Sequence, residues 1–222
     1  MMSSRRPGGP ERVPRFSSSV RALHWLHAAA FLVLLGTGLI TFVPALGGLT
    51  GHRFIVRNLH IFMGFVLVLG PIVVFALGDR RGLRRDLGEI DRFDADDVKA
   101  LKRPWRALSG SAGPYGRFTP AQKLNAIFTA ATIVLFFVTG VIMWQFPRFP
   151  GWVVRNANFV HDWLTLAAAL VWLWHVYFAA VHPSTREALR GITLGWVRAD
   201  WALQHHEKWY RLGKKTSRDA EE

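Results

Sequence analysis

One stretch of the chain reads Asn158-Phe159-Val160-His161-Asp162-Trp163-Leu164 and then continues without another charged residue to His175. An α-helix rises about 1.5 Å per residue, so these two histidines, 14 residues apart, are separated by about 21 Å along the helix axis. This separation suits two cofactors placed one above the other across a bilayer, since the ligands of one metal ion lie much closer together. Ionisable rings inside apolar helices are costly and are usually functional.

Composition places the chain in a membrane class, because 50% of its 222 residues are hydrophobic and only 19% are charged. Four uncharged runs each have about the 20 residues that a helix needs to cross a hydrocarbon core. The first run is too long, and lacks the small-residue cleavage pattern, for a cleaved signal peptide. We therefore predict an all-α integral membrane four-helix bundle. The predicted spans are 24–46, 58–78, 120–146 and 158–182.

The net charge of +13 is distributed unevenly along the chain. Of the 28 Lys and Arg residues, 24 lie before the first run, between the second and third, or after the fourth, and four lie in the other two loops. The positive-inside rule then predicts that both termini and loop 79–119 are cytoplasmic, in the inner membrane of a bacterium. The basic charge is explained by orientation at the lipid surface, and nucleic-acid binding is not expected.

The chain contains no cysteine. Disulfides, thiolate iron–sulfur clusters and covalent haem attachment through Cys-x-x-Cys-His are therefore excluded. Any haem must be held by its axial ligands and by packing, and any iron–sulfur cluster must belong to a separate chain.

The sequence divides into three parts. Residues 1–19 lack an apolar period and predict a flexible cytoplasmic arm, residues 20–182 the four-helix domain, and residues 183–222 an amphipathic cytoplasmic tail. We identify no internal repeat.

Two helix starts are recognisable from the sequence. The acidic run Asp94-Ala95-Asp96-Asp97 predicts the N-cap of a short amphipathic helix running towards Trp105. Thr119-Pro120 predicts the start of the third span, with a hydroxyl at the N-cap and proline at the first helical position.

The topology determines which histidines can meet. With the N-terminus inside, His24 lies at the cytoplasmic end of the first span, whereas His60 and His161 lie near the periplasmic face and His175 lies deeper towards the cytoplasm. Imidazole is the usual protein ligand of haem iron, so the depths predict two bis-histidine b haems, held by His60 with His161 and by His24 with His175. Spacing alone leaves His27, one turn after His24, as an alternative cytoplasmic ligand.

Small and basic residues near these positions have two possible roles. Gly36, Gly38, Gly64 and Gly140 either let backbone approach a flat macrocycle or serve ordinary helix packing. Three arginines either pair with haem propionates or anchor helix ends at the membrane surface. They are Arg21, Arg57 and Arg155.

Four motifs resemble one known family. They are Arg21-Ala22-Leu23-His24-Trp25-Leu26, Arg57-Asn58-Leu59-His60-Ile61-Phe62-Met63-Gly64, Val138-Thr139-Gly140-Val141-Ile142-Met143-Trp144 and His205-His206-Glu207-Lys208-Trp209-Tyr210. From about residue 14 to 212 the chain resembles the gamma, or cytochrome b, subunit of membrane-bound formate dehydrogenases. The resemblance implies the same ligand pairs as the depths do, and it favours His24 over His27.

The resemblance also implies a function. Formate would be oxidised at a molybdenum or tungsten site in a separate catalytic subunit, and electrons would pass through an iron–sulfur subunit to the periplasmic haem. They would then cross to the cytoplasmic haem and reduce a quinone beside His175. The third helix contributes Asn-x-x-Gln-Lys to the quinone site in that family, and here Gln122 and Lys123 are retained whereas Thr119 replaces the Asn.

Two other classes of protein remain open at this stage. A cytochrome b that serves a hydrogenase or another quinone-linked oxidoreductase would keep the four histidines and differ in its partner. A haem-free membrane anchor or transporter would not need histidines at matched depths. A visible absorption spectrum separates this last class from the others.

The choice between His24 and His27 is testable because the two residues share roughly one helix face. We expect His24→Ala to abolish the absorption of the cytoplasmic haem and His27→Ala to leave it intact, measured in redox-difference spectra of the purified protein. The opposite result would identify His27 as the ligand.

Overall fold

The computed structural model describes residues 11–103 and 113–219, so residues 1–10 of the predicted arm and Trp105 lie outside the described residues. The described chain is almost entirely helical. In chain order its elements are β1 (Arg12–Pro14), α1 (Ser18–Phe42), α2 (Pro44–Thr50), α3 (Arg53–Leu77), α4 (Arg80–Ile90), α5 (Ala95–Leu101), α6 (Pro120–Trp144), a 3-10 turn (Phe146–Arg148), α7 (Gly151–Val176), a π turn (Tyr177–Val181), α8 (Ala188–Leu194), β2 (Trp196–Arg198), α9 (Ala199–His205) and α10 (Glu207–Arg218).

Four of these helices, α1, α3, α6 and α7 with its π turn, are long and apolar enough to cross a membrane. Many of their large apolar side chains point away from the protein, among them Phe54, Ile72 and Leu170, each at least 60% exposed. Such surfaces are unfavourable in water and are covered by lipid in a membrane. The predicted four-helix membrane fold is confirmed.

The helices extend beyond the predicted spans at their starts. α3 begins at Arg53 and α7 at Gly151, several residues before the uncharged runs, because helical hydrogen bonding continues past the edge of the hydrocarbon layer. The first span ends at Phe42, and Pro44 then starts the separate helix α2 at a position where its missing N–H costs nothing.

One of the two compact units of the chain comprises Ala22–Arg80 and Phe128–Trp174, which are the middle parts of the four long helices. Aromatic contacts join them, as between Phe65 of α3 and Phe137 of α6, whose ring centroids lie 5.6 Å apart. α1 and α3 pack tightly at Gly70, where a Cβ would lie 2.3 Å from Cδ2 of Leu26. Only glycine permits this approach without displacing the leucine.

The other compact unit comprises Met1–Arg21, Arg81–Ile127 and His175–Glu222. Within it, β1 pairs antiparallel with β2, so that Val13 lies opposite Val197. The prediction of a flexible arm over residues 1–19 is therefore wrong for its described part from Arg12 onwards. The arm has no apolar period because strand pairing with the tail holds it, and that partner lies more than 180 residues away in the sequence.

Arg15 is the largest of the fully buried side chains among the described residues, with 2% of its surface exposed. Its Nη2 donates to the carbonyl of Arg117 at 3.2 Å and to Nε2 of His206 at 2.9 Å. The guanidinium also lies 5.1 Å from the ring of Trp201 and 5.8 Å from that of Trp209. Hydrogen bonds and aromatic faces thus replace part of the water that a buried cation loses, whereas Nε and Nη1 of Arg15 have no hydrogen-bond partner among the described residues.

The tail motif around His206 therefore has a structural function. Nδ1 of His206 donates to the carbonyl of Gly116 at 2.8 Å, which leaves Nε2 as the acceptor for Arg15. The arm, the middle loop and the tail are joined through this one neutral imidazole.

The middle loop contains more helix than the sequence predicts. Asp94 forms the predicted N-cap of α5, as part of a capping box with Asp97, whereas α4 was not predicted. Asp97 also accepts a hydrogen bond from buried Lys123 at 2.5 Å, which ties α5 to the start of α6.

The packing of the tail is expected to depend on pH. Burial, followed by the charge of Arg15, lowers the pKa of His206 well below its usual value. Since an exposed histidine titrates near about 6.5, the unfolded tail binds a proton that the folded tail excludes. The stabilisation is therefore fully present above about pH 6.5 and is lost as the pH falls further. Hydrogen–deuterium exchange of residues 196–210, corrected for the intrinsic rate, should accelerate between pH 7.5 and 5.5.

A matched variant isolates this effect. His206→Gln keeps one donor and one acceptor without a titratable group, so exchange in its tail should vary less with pH. Burial also lowers the pKa of the neighbouring His205, which contributes to the pH dependence of exchange in both the wild type and His206→Gln. Equal pH dependence in wild type and His206→Gln would assign the effect to His205.

Candidate haem centre

His60 of α3 and His161 of α7 face each other inside the four-helix unit. Their ring centroids lie 6.3 Å apart, with an angle of 55° between the ring planes. An imidazole nitrogen binds a first-row metal at about 2 Å, and the ring centre lies roughly 1 Å further, so two rings that share one metal have centroids about 6 Å apart. The spacing of this pair therefore fits axial ligation of one iron from two sides.

The second nitrogen of each ring is already engaged. Nδ1 of His60 lies 2.9 Å from Oγ1 of Thr37, and Nδ1 of His161 lies 2.9 Å from Oγ1 of Thr139. Both threonines are buried. Nε2 of each histidine therefore remains as the nitrogen for a metal, which is the arrangement that ligating histidines usually show.

The predicted glycines divide into two groups. Gly38 and Gly140 adjoin the histidines, since a Cβ there would lie 3.4 Å from Cε1 of His60 and 3.8 Å from Cε1 of His161, respectively. A Cβ at Gly36 or Gly64 would meet no atom within 4 Å. At Gly38 and Gly140 the backbone adjoins an imidazole, and the predicted role of these glycines towards a macrocycle stays a prediction.

The two candidates on α1 have different surroundings. The ring of His24 packs edge-on against Trp25, with centroids 5.4 Å apart. Nδ1 of His27 lies 3.1 Å from the carbonyl of Leu23, and its Nε2 is buried without a hydrogen-bond partner among the described residues. Both are sterically plausible ligands, so the preference for His24 stays a prediction.

His175 occupies the last turn of α7, on the same continuous helix as His161, as predicted. The helix then widens into the π turn from Tyr177 to Val181, a distortion that is frequent at functional sites. His175 and His24 belong to different compact units, and their pairing remains a prediction.

Thr119 and Gln122, the predicted quinone ligands beside His175, form a reciprocal cap at the start of α6. The backbone N–H of Thr119 donates to Oε1 of Gln122 at 3.0 Å, and the backbone N–H of Gln122 donates to Oγ1 of Thr119 at 3.3 Å. This confirms the predicted N-cap at Thr119 and shows a structural function for both side chains.

The three arginines predicted to pair with haem propionates remain predictions. Arg57 lies over the ring of Phe54 at 6.0 Å, and Arg155 approaches the start of its own helix at Gly151. Arg21 packs against Gly195, whose positive φ of 87° requires glycine.

Thr37 and Thr139 are the residues that sequence reasoning missed. Their signal in the sequence is a pair of similar tetrapeptides, Thr37-Gly38-Leu39-Ile40 and Thr139-Gly140-Val141-Ile142. Four apolar or small residues carry too little information to stand out until their contacts with the histidines are known.

Comparisons with known proteins concern the chain as a whole. Residues 15–195 match the family model described as prokaryotic cytochrome b561. The chain is 30% identical to the formate dehydrogenase cytochrome b556(fdo) subunit of Escherichia coli K12 over 215 residues, which are 93% of this chain and 96% of the relative. It is 28% identical to the formate dehydrogenase cytochrome b556 subunit of Haemophilus influenzae, over 90% of this chain and 83% of that protein. The nitrate-inducible cytochrome b556(Fdn) subunit of E. coli K12 is also 28% identical, over 86% and 87%.

Haem content tests the histidine pairs directly. The purified protein is expected to contain two non-covalent b haems per chain, both low-spin because both axial positions are imidazoles. His161→Ala should halve the haem measured as pyridine haemochrome and leave one low-spin spectrum. His52→Ala is the matched control, because His52 is exposed at the start of α3, and should retain both haems. Wild-type protein with one haem or none would contradict the assignment.

Proposed function

We propose a function for this chain from one premise, that it belongs to the prokaryotic cytochrome b561 family. In this proposal the chain is the cytochrome b subunit of a membrane-bound formate dehydrogenase, and it passes electrons through two b haems to a quinone. The observation that carries the proposal is the pair His60 and His161, which face each other at the spacing of two axial ligands. The similarity to three formate dehydrogenase cytochrome subunits over most of their length supports the choice of enzyme.

The electron path follows the length of α7. His60 and His161 would hold the outer haem, near the periplasmic face, and His24 and His175 would hold the inner haem. When bound, the haems supply one-electron redox chemistry, and the four helices exclude water from them and fix their ligands. The rise of about 21 Å between His161 and His175 supports an inner site towards the opposite side of the membrane.

The orientation is supported by contacts as well as by charge. The N-terminal strand, the middle loop and the tail contact one another through β1, Gly116, Arg117 and His206, so all three lie on one side of the membrane. These segments carry 24 of the 28 basic residues, which makes that side the cytoplasmic side of a bacterial inner membrane.

The quinone is reduced near the cytoplasmic end of the bundle, at a binding site that includes His175, Thr119 and Gln122. The helix cap uses Oε1 of Gln122 and leaves its Nε2 protons for a quinone carbonyl. The hydroxyl proton of Thr119 is likewise not used by the cap, since Oγ1 acts there as an acceptor.

The proposed partners are supported by the names of the similar proteins, which are subunits of formate dehydrogenases. An iron–sulfur subunit delivers electrons to the outer haem, and a molybdenum or tungsten subunit oxidises formate. Moving an electron inward against the membrane potential costs about 2.3 kcal/mol per 100 mV, so this arrangement stores the energy of formate oxidation as membrane potential.

The complex purified with its bound chains tests the proposal. Formate should reduce both haems, followed by their α-band absorbance, and added quinone should reoxidise them. Identification of the co-purified chains should find a formate-oxidising subunit and an iron–sulfur subunit. Reduction by hydrogen but not by formate would assign the chain to a hydrogenase instead.

Two substitutions of Gln122 separate quinone binding from helix capping. Gln122→Glu keeps a cap acceptor but has no N–H donor, whereas Gln122→Ala loses both. A lost neutral hydrogen bond of about 1 kcal/mol predicts reoxidation about fivefold slower, or a raised quinone requirement, in both variants with both haems retained. A defect confined to Gln122→Ala would show that the residue serves the cap alone.

A further inference from the structure

Two threonine–glycine pairs occupy equivalent positions around the facing histidines. Thr37-Gly38 of α1 contacts His60 on the next long helix, and Thr139-Gly140 of α6 contacts His161 on the next. The two Oγ1–Nδ1 distances are the same, 2.9 Å. Each imidazole thus contacts a threonine and the glycine that follows it, both on a neighbouring helix.

The direction of these hydrogen bonds follows from what each hydroxyl already does. Oγ1 of Thr37 lies 2.7 Å from the carbonyl of Val33, and Oγ1 of Thr139 lies 2.7 Å from the carbonyl of Leu135. A carbonyl only accepts, so the single hydroxyl proton is donated to it. The hydroxyl oxygen can then only accept from the histidine, and Nδ1 must carry the proton.

We propose that Thr37 and Thr139 are positioning residues that hold His60 and His161 in the Nδ1–H form, aim both Nε2 lone pairs at one iron and thereby set the potential of the outer haem. The inference rests on the part of the proposed function in which this pair binds haem b. It does not depend on formate, on the quinone or on the partner subunits.

The effect on the potential has a definite sign. A ligating imidazole that donates its Nδ1 proton is a more basic ligand, and a more basic ligand stabilises ferric over ferrous iron. Removing the acceptor therefore raises the midpoint potential of the outer haem.

Redox titration of the purified full-length protein tests the proposal, with His161→Ala identifying which of the two components is the outer haem. Thr37→Val and Thr139→Val keep the side-chain shape but remove the acceptor. Each variant is expected to weaken the preference of the outer haem for ferric over ferrous iron by about tenfold at most. For a one-electron couple this raises the midpoint potential by about 59 mV. The inner haem should keep its potential, and the low-spin ferric EPR signal of the outer haem should shift.

Two further variants separate positioning from general packing. Thr37→Ser restores an acceptor and should return the potential towards that of wild type. Thr132→Val is the matched control, because Thr132 is also buried on α6 but bonds the backbone carbonyl of Thr129. It should leave both potentials unchanged.

The outcomes for the threonine variants distinguish positioning by the hydroxyl from general packing. Loss of the outer haem in Thr37→Val with its retention in Thr37→Ser supports positioning by the hydroxyl, as does a raised potential. An unchanged potential and EPR signal in both valine variants, or an equal shift in Thr132→Val, overturns it. If wild-type protein binds no outer haem, the proposed function itself is refuted. The inference alone fails if the outer haem binds and the valine variants leave its potential unchanged.

Discussion

The rest of the structure depends on one constraint, that a ring nitrogen of an imidazole inside a hydrocarbon layer is costly to bury without a partner. Water is absent there, and an unpaired polar group costs several kcal/mol. For His60 and His161 the protein supplies one partner each, a threonine hydroxyl, and leaves the other nitrogen towards the facing ring. The bundle needs four helices at this level because two present the histidines and two present the threonines.

The same principle operates outside the membrane at a different pair of groups. Arg15 is buried among aromatic rings, and the neutral ring of His206 accepts one of its N–H groups while donating to the carbonyl of Gly116. A fully charged imidazole would have no acceptor site for the arginine. One tautomer thus joins three segments that are far apart in the sequence, and it explains why a motif of the C-terminal tail matters to a protein whose chemistry lies in its helices.

The start of α6 shows how one side chain can cap a helix and keep hydrogen-bond donors for a ligand. Gln122 caps α6 with its carbonyl oxygen and keeps its amide protons for another acceptor. Lys123, the next residue, is fully engaged with Asp97 and the carbonyl of Arg92 and so fixes the middle loop. Two neighbouring polar residues that look equivalent in the sequence therefore have different capacities to bind a ligand.

The amino-acid sequence by itself determined the four apolar helices and excluded attachment of haem through cysteine, and it predicts histidines at matched depths and the sidedness implied by the basic residues. These features are local or compositional, since hydrophobic run length, charge and the absence of cysteine are each read without knowing contacts. The helix starts at Asp94 and Thr119 were equally local, because a cap bonds residues two or three positions away.

Only the tertiary structure decided which side chains surround those histidines. Thr37 meets His60 across 23 positions of sequence and Thr139 meets His161 across 22, and nothing in either threonine marks it out from Thr132, which bonds its own helix. The pairing of Arg12–Pro14 with Trp196–Arg198 was hidden for the same reason. Hydrogen bonds between distant segments depend on how the helices and strands pack, and packing combines weak preferences along the whole chain rather than a pattern at any one place.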